Sequence, residues 1–226
     1  MARPRNNETR ELILKNAYKR FLSEGYESVY LKDIAKDTGI TATLLHHYYP
    51  TKADIVIHII YDMLTKTREY LSVVGEKTSR TAESYSYVLA EVLYMFDVLL
   101  RNNGIMLDVY SYVLCDTKLM NEVVEFCCDK MAPKEIVDTV GKRYNQFLLW
   151  GGISQIVALY LKKRLPYEIG DGVISLYNYY LLSNGISEEE RAKIIADSKS
   201  LATREHMNEF YAKYNESIDH FINCEW

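Results

Sequence analysis

The sequence predicts an all-α protein, built as a small N-terminal three-helix domain followed by a larger helical C-terminal domain. Apolar residues recur three and four positions apart over most of the chain, as they do on one face of a helix. Only four prolines and ten glycines interrupt the 226 residues, and no stretch alternates apolar and polar residues as strands do. We therefore expect long helices, and we place the domain boundary between residues 50 and 51.

Three helices are predicted in the first fifty residues, at 9–24, 31–38 and 41–49. Glycine follows the first two, at Gly25 and Gly39, as it commonly does where a helix ends. Thr41 is a typical N-cap residue for the third helix, and Pro50 closes that helix.

The remainder of the chain is predicted to form a series of helices, at 51–74, 80–102, 104–115, 117–131, 134–164, 168–184, 187–201 and 203–223. Breaks between them are expected at Gly75, Gly104, Pro133, Pro166 and the Asn184-Gly185 pair. Ser187 and Glu190 have the spacing of a capping box, and Thr51 and Asp54 have a weaker version of it.

Residues 146–160 form the least polar segment, so we expect them to be deeply buried. Gly151 and Gly152 lie inside this segment, where glycine lowers helix propensity. They indicate either a kink or the close approach of another helix.

The composition of the chain indicates where the protein is located and which partners it lacks. No apolar run approaches the ~20 residues that a membrane span needs, and the N-terminus lacks the apolar centre of a signal peptide. We expect a cytoplasmic protein with no membrane partner. The four cysteines are expected to be reduced, semi-buried apolar residues, and redox sensing at the adjacent Cys127 and Cys128 is the alternative.

Charge is distributed unevenly along the chain. Residues 1–53 carry nine lysines and arginines against six acidic residues, a net charge of +3, whereas the whole chain has −4 and the remainder therefore −7. A basic N-terminal segment followed by an acidic remainder is typical of a protein whose N-terminal part binds phosphates. Ordinary charge scatter is the alternative, so this feature only supports the motif described next.

The second and third helices, joined by Thr38-Gly39-Ile40, have the spacing of a helix-turn-helix. Projection at ~100° per residue sorts the third helix into two faces. One face gathers the leucines and a tyrosine, Leu44, Leu45 and Tyr48, which would pack on the first two helices. The other face gathers Ala42, Thr43, His46 and His47, and it is predicted to enter a DNA major groove, which is wide enough for a helix.

Each residue of this region suits a particular contact. Thr43 can reach base edges and thymine methyl groups, and His46 and His47 can donate to bases or phosphates. The N-terminus of the third helix attracts a phosphate, helped by the Thr41 hydroxyl. Lys52 opens the next helix and would reach the DNA backbone. Double-stranded DNA is therefore the predicted partner.

Enzymatic motifs are missing from the sequence. It contains no glycine-rich phosphate loop, no Gly-x-Ser-x-Gly elbow and no His-Glu-x-x-His. His58 has Asp54 and Asp62 one turn away on either side, which could seat a metal, but a solvated ion-pair face is the favoured interpretation. We expect no catalytic residue, no metal and no cofactor.

Residues 9–60, roughly a quarter of the chain, resemble the DNA-binding domain of the TetR family of bacterial regulators. The residues that carry the resemblance are Glu24-Gly25-Tyr26, the run from Asp33 to Thr41 and the run from Leu45 to Lys52. The resemblance implies phosphate contacts by Thr41, Tyr48 and Lys52 and a groove-facing position for Ala42, Thr43, His46 and His47.

The chain departs from the family pattern at a few positions. It has His46 where the family usually has tyrosine, Tyr49 where it has phenylalanine, and Thr43 where glycine is common. Tyr30 replaces the serine or threonine that caps the second helix, although its hydroxyl can still reach a phosphate. These departures affect the operator sequence rather than the mode of binding.

The resemblance also implies a homodimer whose C-terminal helices form a four-helix bundle and enclose a ligand cavity. Most members repress transcription and are released from DNA by a small-molecule effector. For the dimer interface we choose residues on the helices at 168–184 and 203–223, namely Tyr177, Tyr180, Leu181, Phe210, Tyr214 and Phe221. Candidate cavity residues, with core packing as the alternative for each, are Tyr94, Met95, Tyr110, Trp150 and Gln155.

Two functions remain open on the sequence alone. The first is a ligand-responsive DNA-binding transcriptional regulator with a DNA-binding domain at 1–50 and a regulatory and dimerisation domain at 51–226. The second is a helical protein-binding module whose helix-turn-helix no longer holds DNA. The groove face bears hydrogen-bonding residues and no acid, which favours the first.

Overall fold

The computed structural model describes residues 7–77, 85–101, 105–131 and 139–223. These residues are helical apart from short turns, and none of them lies in a strand. The prediction of an all-α fold is confirmed.

Eleven α-helices and one wider π-helical turn make up the described residues. The first four helices are α1 (Asn7–Ser28), α2 (Leu31–Thr38), α3 (Ala42–Tyr48) and α4 (Lys52–Lys77). The next three are α5 (Tyr85–Leu100), α6 (Ile105–Leu114) and α7 (Thr117–Phe126), and the π-helical turn (Cys127–Met131) continues α7. The last four are α8 (Val140–Leu161), α9 (Ile169–Ser183), α10 (Glu188–Leu201) and α11 (Arg204–Asn223).

The helix bounds agree with the sequence pattern where local signals are strong. The capping box of Ser187 and Glu190 is present at the start of α10, and Asp54 accepts a hydrogen bond from the Thr51 backbone N–H at 2.6 Å. The breaks expected at Gly104 and Pro133 lie outside the described residues.

Two glycines behave differently from a simple helix stop. The chain kinks at Gly25, where φ is 73°, but helical turns resume as far as Ser28. Helix α4 continues through Gly75 to its end at Lys77, so the break expected at Gly75 was wrong. Gly75 instead allows a close approach, because an added Cβ would lie 1.3 Å from the Tyr87 hydroxyl of α5.

The N-terminal helices pack directly against the helices of the C-terminal part of the chain. Helix α1 packs on α2, on α6 and on α11, while α4 runs from the turn after α3 into the body and packs on α5, α6 and α7. One contiguous apolar core runs from Ile13 in α1 to Ile222 in α11. A movement of the body helices is therefore mechanically connected to α1 and α4.

Helices α8 and α9 form a close hairpin. An added Cβ at Gly152 would lie 2.6 Å from the Leu176 side chain of α9, so Gly152 marks the close approach of a helix. The expectation that all of 146–160 is deeply buried was wrong. One face of α8 is covered, at Leu149, Ile153 and Val157, whereas the opposite face is exposed, at Leu148, Gly151, Gln155 and Leu159.

The residues chosen for the dimer interface also need correction. Tyr177, Tyr180, Leu181, Phe210 and Tyr214 are all buried within a single chain, and Phe221 is partly buried against the same core. The sequence showed that α9 and α11 each have an apolar face. It did not show that α5 and α1 of the same chain cover those faces.

Candidate nucleic-acid interface

The turn between α2 and α3 is built on one glycine. Gly39 has φ 71° and ψ 24°, in the left-handed region, and its N–H donates to the Lys36 carbonyl at 3.1 Å. The Ile40 N–H returns to the Ala35 carbonyl at 3.0 Å, which closes the end of α2. Thr41 then caps α3, because its hydroxyl accepts from the Leu44 N–H at 3.2 Å.

Polar contacts hold α2 against α1. The Asn16 amide donates to the Thr38 hydroxyl at 3.2 Å, and that hydroxyl donates to the Ile34 carbonyl at 2.6 Å. On the surface, Arg20 forms ion pairs with Asp37 at 2.6 Å and with Glu24 at 2.8 Å. The hydrogen bond from Arg20 lowers the pKa of Asp37. Together these contacts fix the platform on which α3 sits.

Helix α3 packs against this platform through only a few residues near its C-terminal end. Leu45 and Tyr49 are buried and Tyr48 is half-buried. All four residues predicted to face a groove are exposed to solvent, namely Ala42, Thr43, His46 and His47. The structure therefore presents a helix with a capped N-terminus and one bare polar side.

Leu44 was predicted to lie on the apolar face of α3, and this prediction was wrong. Its side chain is 40% exposed, while Leu45 beside it is fully buried. Because α3 has only seven residues, the platform covers an arc wide enough for Leu45, Tyr48 and Tyr49 but not for Leu44. Leu44 therefore adds an apolar contact to the exposed side.

The two histidines on the exposed side of α3 are held by different contacts. His46 Nδ1 lies 3.0 Å from the Pro50 carbonyl, so this nitrogen donates to that oxygen and Nε2 is the ring nitrogen left for a partner. His47 packs edge-on against Tyr48, with ring centroids 5.9 Å apart. The first histidine is thus oriented by the chain beyond α3, and the second by its neighbour within α3.

Arg10 joins the end of α3 to two other helices. Its Nε donates to the Tyr49 hydroxyl at 3.1 Å and its Nη2 donates to His58 Nδ1 at 3.2 Å. Burial, and then the charge of Arg10, lower the pKa of His58, although Asp62 acts in the opposite sense. The imidazole that accepts this hydrogen bond is therefore neutral at physiological pH.

Lys52 stands at the start of α4, beside the interface. Its ammonium group donates to the Tyr26 carbonyl at 2.5 Å and to the Val29 carbonyl at 2.7 Å, and it lies 4.0 Å from the centre of the Tyr26 ring. Burial lowers the pKa of Lys52. Two of its three N–H donors are therefore used within the chain, and the third has no hydrogen-bond acceptor among the described residues.

Tyr26 links Lys52 to the body of the protein. Its ring stacks on Tyr112 of α6 with centroids 4.0 Å apart, and the Tyr112 hydroxyl donates to Glu27. Sequence reasoning missed Tyr26, Tyr112 and Arg10 as parts of this region. Only the position of Tyr26 within the family motif hinted at its role, because the contacts of the other two join distant parts of the chain.

Tyr30 occupies the N-cap position of α2 without capping it. Its side chain makes no cap hydrogen bond and is 58% exposed, with the Lys32 ammonium 5.3 Å from the ring centre. Its hydroxyl is accordingly available to a partner, as the sequence suggested.

The candidate ligand residues do not share one cavity. Tyr94 and Met95 are fully buried in α5, and the Tyr94 hydroxyl donates to the Leu201 carbonyl at 2.9 Å. Tyr110 lines a separate cavity, and Trp150 borders a void of only about 30 Å³. Gln155 lies on the exposed face of α8, where it cannot line an internal cavity.

No group of three metal-binding side chains occurs in the part of the chain that the structure describes. Asp54 binds the Thr51 backbone and Asp62 pairs with Lys66, so neither joins His58.

Two further expectations concern the cysteines and the membrane. Burial raises the thiol pKa of Cys127 and of Cys128, which disfavours their thiolates. Among the described helices, none combines the length and apolar character of a membrane span.

The platform, the glycine turn and the exposed α3 define a helix-turn-helix DNA-binding domain. Residues 13–59, roughly a fifth of the chain, match the family described as "Bacterial regulatory proteins, tetR family". This match agrees with the resemblance seen in the sequence, and it extends over residues 13–59. The description of the matched family is one of regulatory proteins.

Two solved structures illustrate the level of likeness across the whole chain. A gamma-butyrolactone receptor, described as an ArpA-like protein, is 14% identical over 88% of this chain and 98% of its own, with a TM-score of 0.39. A putative TetR-family transcriptional regulator from Mesorhizobium loti is 12% identical over 93% and 98%, also with a TM-score of 0.39. TM-scores of this size do not establish a common fold. No curated protein matches the sequence.

Proposed function

We propose that the chain is a ligand-responsive transcriptional repressor of the cytoplasm, which binds an operator as a homodimer and is released from it by a small molecule. The observation that carries this proposal is the bare side of α3, formed by Ala42, Thr43, His46 and His47. We also propose the division into a DNA-binding domain at 1–50 and a regulatory domain at 51–226.

The chemistry of the α3 surface supports base reading. Small and neutral hydrogen-bonding side chains fit closely against base edges, and no acidic residue stands among them to repel phosphates. Lys32 and Lys36 are exposed on the neighbouring α2. The capped N-terminus of α3, with Thr41 and the free donor of Lys52 near it, suits the flanking phosphates.

A second copy of the chain is the proposed occupant of the exposed face of α8 and α9. Large apolar side chains are exposed along both helices of this hairpin; they are Tyr144, Leu148, Leu159, Tyr179 and Leu182. Apolar patches of this kind mark interfaces. Two hairpins related by a two-fold axis would cover one another as a four-helix bundle.

A dimer is also what the geometry of operator binding requires. A helix-turn-helix dimer must place its two α3 helices one DNA turn apart, about 34 Å, to enter successive major grooves. An effector acts by binding more tightly to the arrangement with a different separation. Helix α4, which runs from Lys52 into the body, is the proposed lever.

Lys52→Ala tests the DNA contact. We expect this change to weaken binding to the operator and to unrelated DNA by the same factor, and to reduce the salt-dependence slope by about one unit, because one phosphate contact is lost. An electrophoretic shift on DNA around the chain's own gene at several salt concentrations measures both. Lys66→Ala, on the same helix but paired with Asp62, is the matched control and should leave the slope unchanged.

The alternative is a protein-binding module that no longer holds DNA. It predicts no saturable, salt-sensitive binding to any DNA by the unaltered chain. A preserved slope in Lys52→Ala would instead show that the ammonium only braces the Tyr26 and Val29 carbonyls.

A further inference from the structure

A cavity of about 220 Å³ lies where α1 meets the body. Helices α1, α5, α6 and α11 all contribute to its wall. Residues of the wall that matter here are Tyr18, Val98, Tyr110, Tyr214 and Asp219. The cavity therefore lies between the first helix of the DNA-binding domain and three helices of the regulatory domain.

One wall residue has an unused polar group. The Tyr110 side chain is completely buried, and its hydroxyl makes no hydrogen bond of ordinary geometry to the part of the chain that the structure describes, although the Tyr18 and Tyr214 hydroxyls lie near it. A buried hydroxyl without a partner costs about 1–3 kcal/mol, so such groups in native proteins usually have a partner in a cavity. The group points to an occupant that accepts a hydrogen bond.

Two further hydroxyls stand beside it. Tyr18 of α1 and Tyr214 of α11 are hydrogen-bonded to each other with 3.2 Å between their oxygens. Burial is the largest cause that raises the pKa of each of the three phenols, Tyr18, Tyr110 and Tyr214. All three phenols are therefore neutral. The rest of the wall is mixed, with apolar residues such as Leu22 and Met106 and polar residues such as Asn215.

The charges of the wall restrict the ligand further. Among the described residues, Asp219 is the one charged residue of the wall, and none of the lysines or arginines in this part of the chain lines it. An anionic ligand would find no cation there and would be repelled. A neutral molecule with one acceptor, such as a carbonyl oxygen, matches the Tyr110 hydroxyl without this cost.

The volume restricts the size. An apolar cavity of about 150 Å³ admits benzene, so 220 Å³ has room for a substituted single ring of roughly ten non-hydrogen atoms. The void beside Trp150, of about 30 Å³, holds at most about one water molecule. A larger groove of about 690 Å³ borders Tyr18 from the other side, but it has no unpartnered buried polar group among its described residues.

We propose that this cavity binds a small, neutral, monocyclic molecule that accepts a hydrogen bond from the Tyr110 hydroxyl. The inference rests on the proposed function in one respect: the ligand shifts the packing of α1 on α6 and so alters DNA affinity. Because α1, α5, α6 and α11 meet at the site, a ligand there contacts both domains at once.

Acetophenone and ethylbenzene are suitable probes, since they share a ring and differ by a carbonyl acceptor. Titration calorimetry of the full chain without DNA should show acetophenone binding about fivefold more tightly than ethylbenzene, the ratio that a net hydrogen bond of about 1 kcal/mol gives. Tyr110→Phe should reverse the preference, so that ethylbenzene binds more tightly, because the acetophenone carbonyl is then buried without a donor. Failure of both probes to bind, or a preference for acetophenone that survives in Tyr110→Phe, would overturn the assignment.

Val98→Phe fills the cavity and should abolish binding of both probes. Val73→Phe, on an exposed position of α4, is the matched control and should bind as the unaltered chain does. Thermal melting of each variant establishes that it is folded. Binding that persists unchanged in folded Val98→Phe would place the ligand elsewhere and refute the proposal.

The link to DNA has its own readout. Saturating acetophenone should change the affinity for the operator in the unaltered chain but not in Val98→Phe. Equal operator affinity with and without the probe, when calorimetry shows binding, would refute the link and leave the site standing. Loss of all DNA binding would refute the proposed function, while calorimetry would still decide on the site.

Discussion

Tyr94 and Tyr110 are matched in burial and differ in what their hydroxyls bind. Both side chains are fully buried, but the Tyr94 hydroxyl donates to the Leu201 carbonyl at 2.9 Å, whereas the Tyr110 hydroxyl has no hydrogen-bond partner among the residues that the structure describes. The same substitution at the two positions therefore removes a hydrogen bond in one case and an unpaired polar group in the other.

We expect Tyr94→Phe to lower the free energy of unfolding by about 1 kcal/mol, the net value of a hydrogen bond. Tyr110→Phe should leave it unchanged or raise it, because a desolvated hydroxyl is replaced by hydrogen. Urea unfolding of the ligand-free chain measures both. A loss in Tyr110→Phe as large as that in Tyr94→Phe would mean that the hydroxyl is bonded to Tyr18 or Tyr214.

His58 makes the end of α3 sensitive to pH. Its pKa in the folded chain is lowered by burial and by Arg10, below the value of about 6.5 that it has when unfolded. The stability that neutral His58 contributes is present above about pH 6.5 and is lost as the pH falls through the folded pKa, because the unfolded chain binds the proton first. A protonated ring would also repel the Arg10 guanidinium that holds Tyr49.

The difference in unfolding free energy between the unaltered chain and His58→Asn should therefore shrink as the pH falls from 7.5 to 5.5. The comparison isolates His58, because the other four histidines are present in both proteins. Unfolding by urea at several pH values gives the two curves. Parallel curves would show that His58 is not involved.

At the scale of elements, the turn between α2 and α3 depends on the backbone of Gly39. Its φ of 71° lies in a region that costs other residues about 1–2 kcal/mol, and an added Cβ would meet nothing within 4 Å. We expect Gly39→Ala to lower the free energy of unfolding by about 1 kcal/mol through backbone strain alone. Gly170→Ala, equally unobstructed but inside α9, should be neutral or stabilising; similar losses at both positions in urea unfolding would contradict this account.

Another element-scale feature is the route from α6 to the interface. Tyr112 of α6 stacks on Tyr26, and Tyr26 in turn lies under the Lys52 ammonium. Any displacement of α6 relative to α1 therefore disturbs the residue that is proposed to hold a phosphate. The contact gives the regulatory domain a short physical connection to the DNA contact.

At the scale of the whole molecule, the exposed face of α8 and α9 sets the proposed assembly. We expect Leu148→Arg to convert a dimer into monomers and to weaken operator binding, because it places charge at the centre of an apolar contact. Light scattering gives the molar mass. Val73→Arg is the control, since Val73 is 52% exposed on α4 and Leu148 is 54% exposed on α8. Unchanged mass in Leu148→Arg would exclude this face as the interface.

Local sequence patterns were sufficient to predict most of the helices and the exposed polar side of α3. The period of apolar residues, the caps at Thr41 and Ser187 and the glycine at 39 act within one or two helical turns, so they are visible in the sequence. The exposure of Thr43 and His47 followed from the same periodicity.

The partners of each apolar face were settled by packing between distant helices. Periodicity indicates that a helix has an apolar side, but not whether α5, another part of the chain or a second copy covers it. For this reason Tyr177 and Phe210 proved to be core, Leu148 and Leu44 proved to be exposed, and the orphaned hydroxyl of Tyr110 could not be foreseen. Burial and hydrogen bonding of this kind depend on contacts made across more than a hundred residues of chain, as between Tyr18 and Tyr214.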